Sequence, residues 1–172
     1  MAEALARITQ IEGRGMIQIR ADLARDGQAI AAAAGLDLPA QGRITLAGAR
    51  ALGWMSPDEL LLLLPRAEVA AALAALGTAL AGRHALVLDV SDMRASFRIE
   101  GARALQVLMK LCPADLAAMP PDGLRRSRAA QAACAIWRED GAYVLTGFRS
   151  VADYLRAILT EAAAAGTALD PR

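Results

Sequence analysis

Asp89 and Asp92, close together in the stretch LDVSDM, are the nearest thing in this chain to a pair of carboxylates set for general acid–base work. The same residues also suit a corner between strands, where Asp commonly bonds its own backbone. The single histidine, His84, stands just before a strand, with no second imidazole or thiolate nearby to complete a metal site. Cys112 and Cys134 match neither a C-x-x-C pair nor a zinc spacing. Their apolar surroundings suit small buried thiols. No serine occupies a G-x-S-x-G elbow. Gly13-Arg14-Gly15 precedes a strand instead of following one, so it is no phosphate loop. Arg125, Arg126 and Arg128 form the only basic cluster, which could hold an anion or an acidic partner, or could simply be a solvated strand edge.

Composition sets the frame for these groups. A chain of 172 residues buries about 70% of its unfolded surface, enough for one domain or two small fused modules. At 56% hydrophobic it is too apolar for disorder. Lys and Arg number 19 against 18 Asp and Glu, a net charge of +1, so no long-range field draws phosphate. With 3% aromatics, stacking on single-stranded nucleic acid is not expected. Free cysteines fit a reducing cytoplasm. The N-terminus lacks the continuous apolar core of a signal peptide, and ELLLLLP is too short to span a bilayer. Neither a nucleic-acid nor a membrane partner is expected.

The elements that must position the candidates centre on residues 85–112. Leu86 to Leu88 is a short apolar run, and Asp89-Val90-Ser91-Asp92 turns the chain. The alternation that follows puts Met93, Ala95, Phe97 and Ile99 inward and Arg94, Ser96, Arg98 and Glu100 outward, as in a half-buried strand. After Gly101, Leu105, Leu108, Met109 and Cys112 recur at helical spacing until Pro113.

The rest falls on either side. Residues 1–14 read as a loosely held arm. Met16 to Arg20 is a strand, and Asp26 to Ala34 a helix closed by Gly35. Arg43 to Ala47 and Ala49 to Trp54 are two strands, or one broken at Gly48, before a turn at Ser56-Pro57-Asp58. Glu59 to Leu64 is apolar on both faces and so central in a sheet. A helix follows, with Val69, Leu73, Leu76 and Leu80 as its buried stripe. Asp115 to Gly123 is a loop and Leu124 to Arg138 is extended. Asp140-Gly141 then marks a hairpin. Ser150 and Asp153 have the spacing of a capping box on the last helix, whose inner stripe is Val151, Leu155, Ile158 and Ala162. Residues 166–172 form a tail.

Laid over itself, the chain repeats. Val69, Leu73 and Leu76 find counterparts 82 positions on in Val151, Leu155 and Ile158, while Trp54 and Trp137 fall one residue out of step. Each half reads strand, helix, hairpin, helix, and two such units cover the strands of an α+β body. The fold class expected is therefore α+β, with two fused ferredoxin-like half-modules, about 15–84 and 85–165, in a single domain spanning 15–165.

The stretch LDVSDMRASFRIEGARALQVLMKLCPADL resembles the segment that folate-dependent aminomethyltransferases, such as the T-protein of the glycine cleavage system, carry as D-V-S-H-M-G, G-P-D-A-L and F-L-Q-x-L. The chain is more similar to the gamma-subunit family of heterotetrameric sarcosine oxidases. That likeness runs through GLDLP, WMSPDELLLLLP, RRSRAAQAACAIWRED and FRSVADYLRAIL. The departures count as well. Asp92 stands where the transferases have His, and Ala129, Ala130, Gln131 and Ala132 stand where they present glycines and a catalytic aspartate.

The resemblance thus implies an aminomethyltransferase-like fold without its site, in a subunit with no catalytic, cofactor-binding or metal residues of its own. It implies a complex with alpha, beta and delta subunits that oxidatively demethylates sarcosine to glycine, with tetrahydrofolate taking up the one-carbon unit and oxygen becoming hydrogen peroxide. FAD, FMN, NAD and zinc would belong to the other subunits. Arg125, Arg126, Arg128, Asp92 and Met93 are the candidate contacts to a partner. The alternative is a free-standing folate-binding or aminomethyl-transferring protein.

Overall fold

The computed structural model describes residues 3–169. In chain order its elements are β1 (Arg7–Ile11), β2 (Arg14–Arg20), α1 (Leu23–Ala34), β3 (Ile44–Ala47), β4 (Arg50–Ser56), β5 (Glu59–Pro65), α2 (Val69–Ala79) and β6 (Leu86–Asp89). Then come β7 (Arg94–Glu100), α3 (Ala104–Leu111), β8 (Leu124–Ala129), β9 (Ala132–Glu139), β10 (Ala142–Phe148) and α4 (Ala152–Ala163). The chain divides into two compact units. The first half is Gly13–Asp92 with Asp122–Leu124, and the second takes the remaining N-terminal residues, Met93–Pro121 and Arg125 onward.

The first half is an antiparallel sheet of order β3-β4-β5-β2-β6. Strand β5 lies in its middle, and Glu59 to Leu64 are all buried, as a strand apolar on both faces requires. Ile17, Ile19, Leu60, Leu62 and Leu64 form one core with Ile30 of α1 and with Val69 and Leu76 of α2. Helix α1 begins three residues earlier than its apolar pattern suggested. Asp22 caps it by accepting from the backbone N–H of Arg25, and Gly35 closes it at a φ of 70°. Asp26 is buried, and Arg25 holds its carboxyl below the usual range through paired hydrogen bonds. A hairpin at Gly48, with a φ of 58°, makes β3 and β4 two strands.

The second half repeats the plan with one change. Its sheet runs β1-β7-β10-β9-β8, so the fourth strand of the module comes from the N-terminus of the chain. Residues 7–11, expected in a loose arm, pair antiparallel with β7, from Arg7 opposite Glu100 to Ile11 opposite Ser96. Leu5 and Ala6 are buried in the core alongside Phe97, Ile99, Val107, Leu108, Leu155 and Leu159. Alternation across Ile8 is too brief to distinguish a strand from a loop, and only its partner's unfilled edge makes it one. The run Leu86–Leu88 belongs to the first half, because β6 pairs with β2 there. The changeover between halves therefore falls after Asp92, not near residue 84.

The first half runs strand–helix–hairpin–helix–strand in sequence, and the second reaches the same ferredoxin-like arrangement with β1 in place of the last strand; β3 and β8 are the added edge strands. Equivalent helices open at Val69 and Ala152, and equivalent tryptophans stand at 54 and 137, both 83 positions apart. The repeat register is thus one residue longer than the apolar stripe indicated. Leu159, not Ile158, matches Leu76, and both are fully buried.

Several side chains depart from simple alternation. Ser96, expected outward, is buried and donates to Thr146 at 3.0 Å, because the central strands of this sheet are buried on both faces. Met93, expected inward, precedes the strand and is 49% exposed. Met109 is exposed, and Val107 takes the inward place on α3. Helix α4 has no capping box, because a 3-10 turn over Arg149–Val151 leads into it and no side chain caps the first turn. The expected tail is held as far as Leu169. Lys110 donates to Thr167 at 2.8 Å, and Leu169 N–H donates to Gln106; residues 170–172 lie outside the described residues.

Candidate functional site

The corner that follows β6 is built from its own polar groups. Asp89 accepts from the backbone N–H of Ser91 at 2.9 Å, and its carboxyl is held low by hydrogen bonds from the Ser91 hydroxyl and N–H. Ser91 in turn receives the N–H of Met16 at 2.9 Å, and Val90 N–H donates to Met16 O at 2.8 Å, which pins the corner to β2. Asp92 is engaged differently. Arg66, just beyond β5, donates to both of its carboxylate oxygens, at 3.0 and 2.6 Å, and that fork raises the affinity of Arg66 for its proton. Each carboxylate therefore already has a partner. The structure does not aim the two at a common point, as an acid–base pair would require.

The turn between β8 and β9 carries the alanines that the resemblance sets in place of glycines and an aspartate. Here Ala130 adopts a φ of 50°, and its N–H donates to Leu111 O at 2.8 Å at the end of α3. Ala129 and Ala132 are buried, and Gln131 is exposed. The turn docks by backbone, with no acidic group on it.

Strand β8 ends the sheet of the second half, and Arg125, Arg126 and Arg128 are all exposed on it. The two-residue period separates them, with Arg126 and Arg128 on one face and Arg125 on the other, beside Ser127 and Ala129. They do not act as one cluster. Trp137 is fully buried and so belongs to the core, with its indole N–H donating to Glu139 at 3.0 Å.

The cysteines, distant in sequence, meet in the second half. Cys112 at the end of α3 and Cys134 in β9 share one core, and burial with a hydrogen bond between the thiols pushes Cys134 up. His84 is exposed. Among the described residues no three His, Cys, Asp or Glu side chains gather as a metal site, and no helix is long and apolar enough to cross a membrane. An open hollow before α3 is lined by Arg7, Glu100 and Arg103, but Arg7 and Glu100 already bond each other at 2.8 Å.

One group escaped the sequence reading. Phe148, at the end of β10, is 47% exposed, and Arg94 lies over its ring, 5.3 Å from the centroid. The apolar run from Ala142 ends in that phenylalanine. Sequence alone could not show that it lies beyond the sheet's cover.

Comparison with known proteins follows from this geometry. Residues 20–165 match the model of the family described as "Sarcosine oxidase, gamma subunit family". A sarcosine oxidase subunit gamma from Corynebacterium sp. strain U-96 is 43% identical over 91 residues, which are 51% of this chain and 43% of that protein. The chain thus matches less than half the length of that relative. Among solved structures, a chain of the heterotetrameric sarcosine oxidase from Corynebacterium sp. U-96 superposes with a TM-score of 0.87 at 27% identity, over 100% of this chain and 91% of that one. The aminomethyltransferase T of the glycine cleavage system from Bartonella henselae shares the fold, with a TM-score of 0.69 at 16% identity over 92% of this chain and 46% of that one. The corner, the doubled module and the matched region together give one conclusion: this chain belongs to the sarcosine oxidase gamma subunit family.

Proposed function

We propose that this chain is the non-catalytic gamma subunit of a heterotetrameric sarcosine oxidase. In this reading it supports assembly of a complex that oxidatively demethylates sarcosine to glycine, delivers the one-carbon unit to tetrahydrofolate and reduces oxygen to hydrogen peroxide. Alpha, beta and delta subunits are its partners and hold the FAD, FMN, NAD and zinc, and the complex works in the cytoplasm. The observation that carries this reading is the fold likeness over the whole chain to one chain of a sarcosine oxidase heterotetramer. The committed carboxylates of the corner and the alanine-lined turn support a structural role. Met93, and Arg126 with Arg128 on one face of β8, then serve as contacts to a partner, while Asp92 positions Arg66.

The test is co-expression with the other subunits. The chain is expected to co-purify with flavin-bearing subunits in fixed stoichiometry, in a complex that forms peroxide from sarcosine. Purified alone, it is expected to be colourless and to take up neither flavin nor folate. Micromolar folate binding by the isolated chain in calorimetry, with no association to flavin-bearing subunits, would favour the aminomethyltransferase-like alternative.

A further inference from the structure

Cys112 and Cys134 are the only two cysteines of the chain, and the fold of the second half brings them together. Helix α3 ends at Leu111, and Cys112 follows in extended conformation, with its N–H on Leu108 O at 2.8 Å. The turn after β8 docks at the same place, since Ala130 N–H donates to Leu111 O at 2.8 Å. Strand β9 leaves that turn with Ala132, Cys134 and Ile136 on one face, all three in the core that holds Cys112. There the two sulfurs hydrogen-bond to each other.

Their surroundings set them apart from inert core thiols. Val107, Leu108, Ala129 and Ile136 are sealed at 0% exposure, whereas Cys112 and Cys134 keep 6% and 7%. Hydrogen peroxide is scarcely larger than water and needs no wider opening. The hydrogen bond from Cys134 holds Cys112 below the ordinary thiol range, and the same bond, with burial, pushes Cys134 above it. The thiolate is the form that attacks an oxidant. With no third cysteine in the chain, a partner thiol already in contact is the group placed to resolve the product.

We propose that Cys112 and Cys134 form a peroxide-oxidised dithiol whose disulfide latches the end of α3 to β9 and is undone by a thiol reductant. In the first step the Cys112 sulfur attacks the peroxide. An S–O bond forms, the O–O bond breaks, and the departing hydroxide takes the thiol proton to become water. In the second, the Cys134 sulfur attacks the sulfenic acid. The S–S bond forms, the S–O bond breaks, and a second water leaves with the Cys134 proton. Two thiols are oxidised and one peroxide is reduced. The oxidant needed is any hydroperoxide, so this chemistry does not depend on the subunit reading above. Its consequence is mechanical. The segment from Pro113 to Ala133, which includes β8, becomes a closed loop, and that closure removes conformations from the unfolded chain.

The full chain, reduced and then exposed to hydrogen peroxide, tests this by peptide mapping after alkylation. Mapping is needed because exposed Met93 and Met109 take up oxygen under the same conditions. The expected product is a peptide pair joined through Cys112 and Cys134 in monomeric chain, released by dithiothreitol. The melting temperature should rise on oxidation and fall back on reduction. Cys134→Ser should stop at a sulfenic acid on Cys112, captured by dimedone, with no rise in melting temperature. If that variant does not fold, the wild-type map decides alone. Two alkylated thiols after treatment, a sulfinic acid on one cysteine with the other free, or a crosslink only between copies would overturn the latch. So would an intrachain disulfide that leaves the melting temperature unchanged.

Discussion

Phe97 and Arg98, neighbours on β7, show how much a period of two can say about single residues. Phe97 is fully buried in the core of the second half, so Phe97→Ala should cost about 3–5 kcal/mol through the cavity it leaves. Arg98 points the other way, and alternation alone would make it dispensable. It is not. Its guanidinium donates to the carbonyls of Glu139 and Asp140, at 3.3 and 2.9 Å, and so ties β7 to the β9–β10 turn. Asp140 holds a φ of 49° there, a conformation that an outside donor helps to fix. Arg98→Ala should therefore cost about 1 kcal/mol in denaturant melts. A value near zero would show that the turn stands without it, and a loss equal to that of Phe97→Ala would mean the strand faces are misassigned.

At the scale of elements, much of the fold was legible, because long apolar runs and clear punctuation specify their own partners. Glu59 to Pro65, the hairpin at Asp140-Gly141 and the helix ending at Gly35 are of this kind. What could not be read depended on distant chain. Strand β1 has little intrinsic preference and exists because β7 offers an open edge, with Leu5 and Ala6 filling the core beside it. Ser96 is buried because Thr146, far along the chain, accepts its hydrogen bond. The Cys112–Cys134 meeting and the tie between the β8–β9 turn and α3 are long-range in the same way. A deletion of residues 1–11 follows as a test, since it strips an edge strand and two buried residues from the second half. It should lower the melting temperature and speed amide exchange in β7, with far less change in β5 of the first half. Native-like protection of β7 in the truncated chain would return those residues to the status of an arm.

For the whole molecule, the arginines of β8 pose the question that the fold alone leaves to assembly. An edge strand needs charges to discourage unwanted pairing, and that duty would account for three exposed arginines with no partner subunit involved. A contact role makes a sharper demand, because only residues on one face of a strand can meet one surface. Arg126 and Arg128 satisfy it together, and Arg125, on the opposite face, does not. If this edge meets carboxylates of another subunit, Arg126→Glu with Arg128→Glu should release the chain from the complex and remove much of the salt dependence of its association. Arg125→Glu should do far less, and a melting temperature measured on each isolated variant separates loss of a contact from loss of the fold. Equal losses from both variants would point to long-range charge instead of contact. Full retention of the double variant would leave the arginines as guards of the edge.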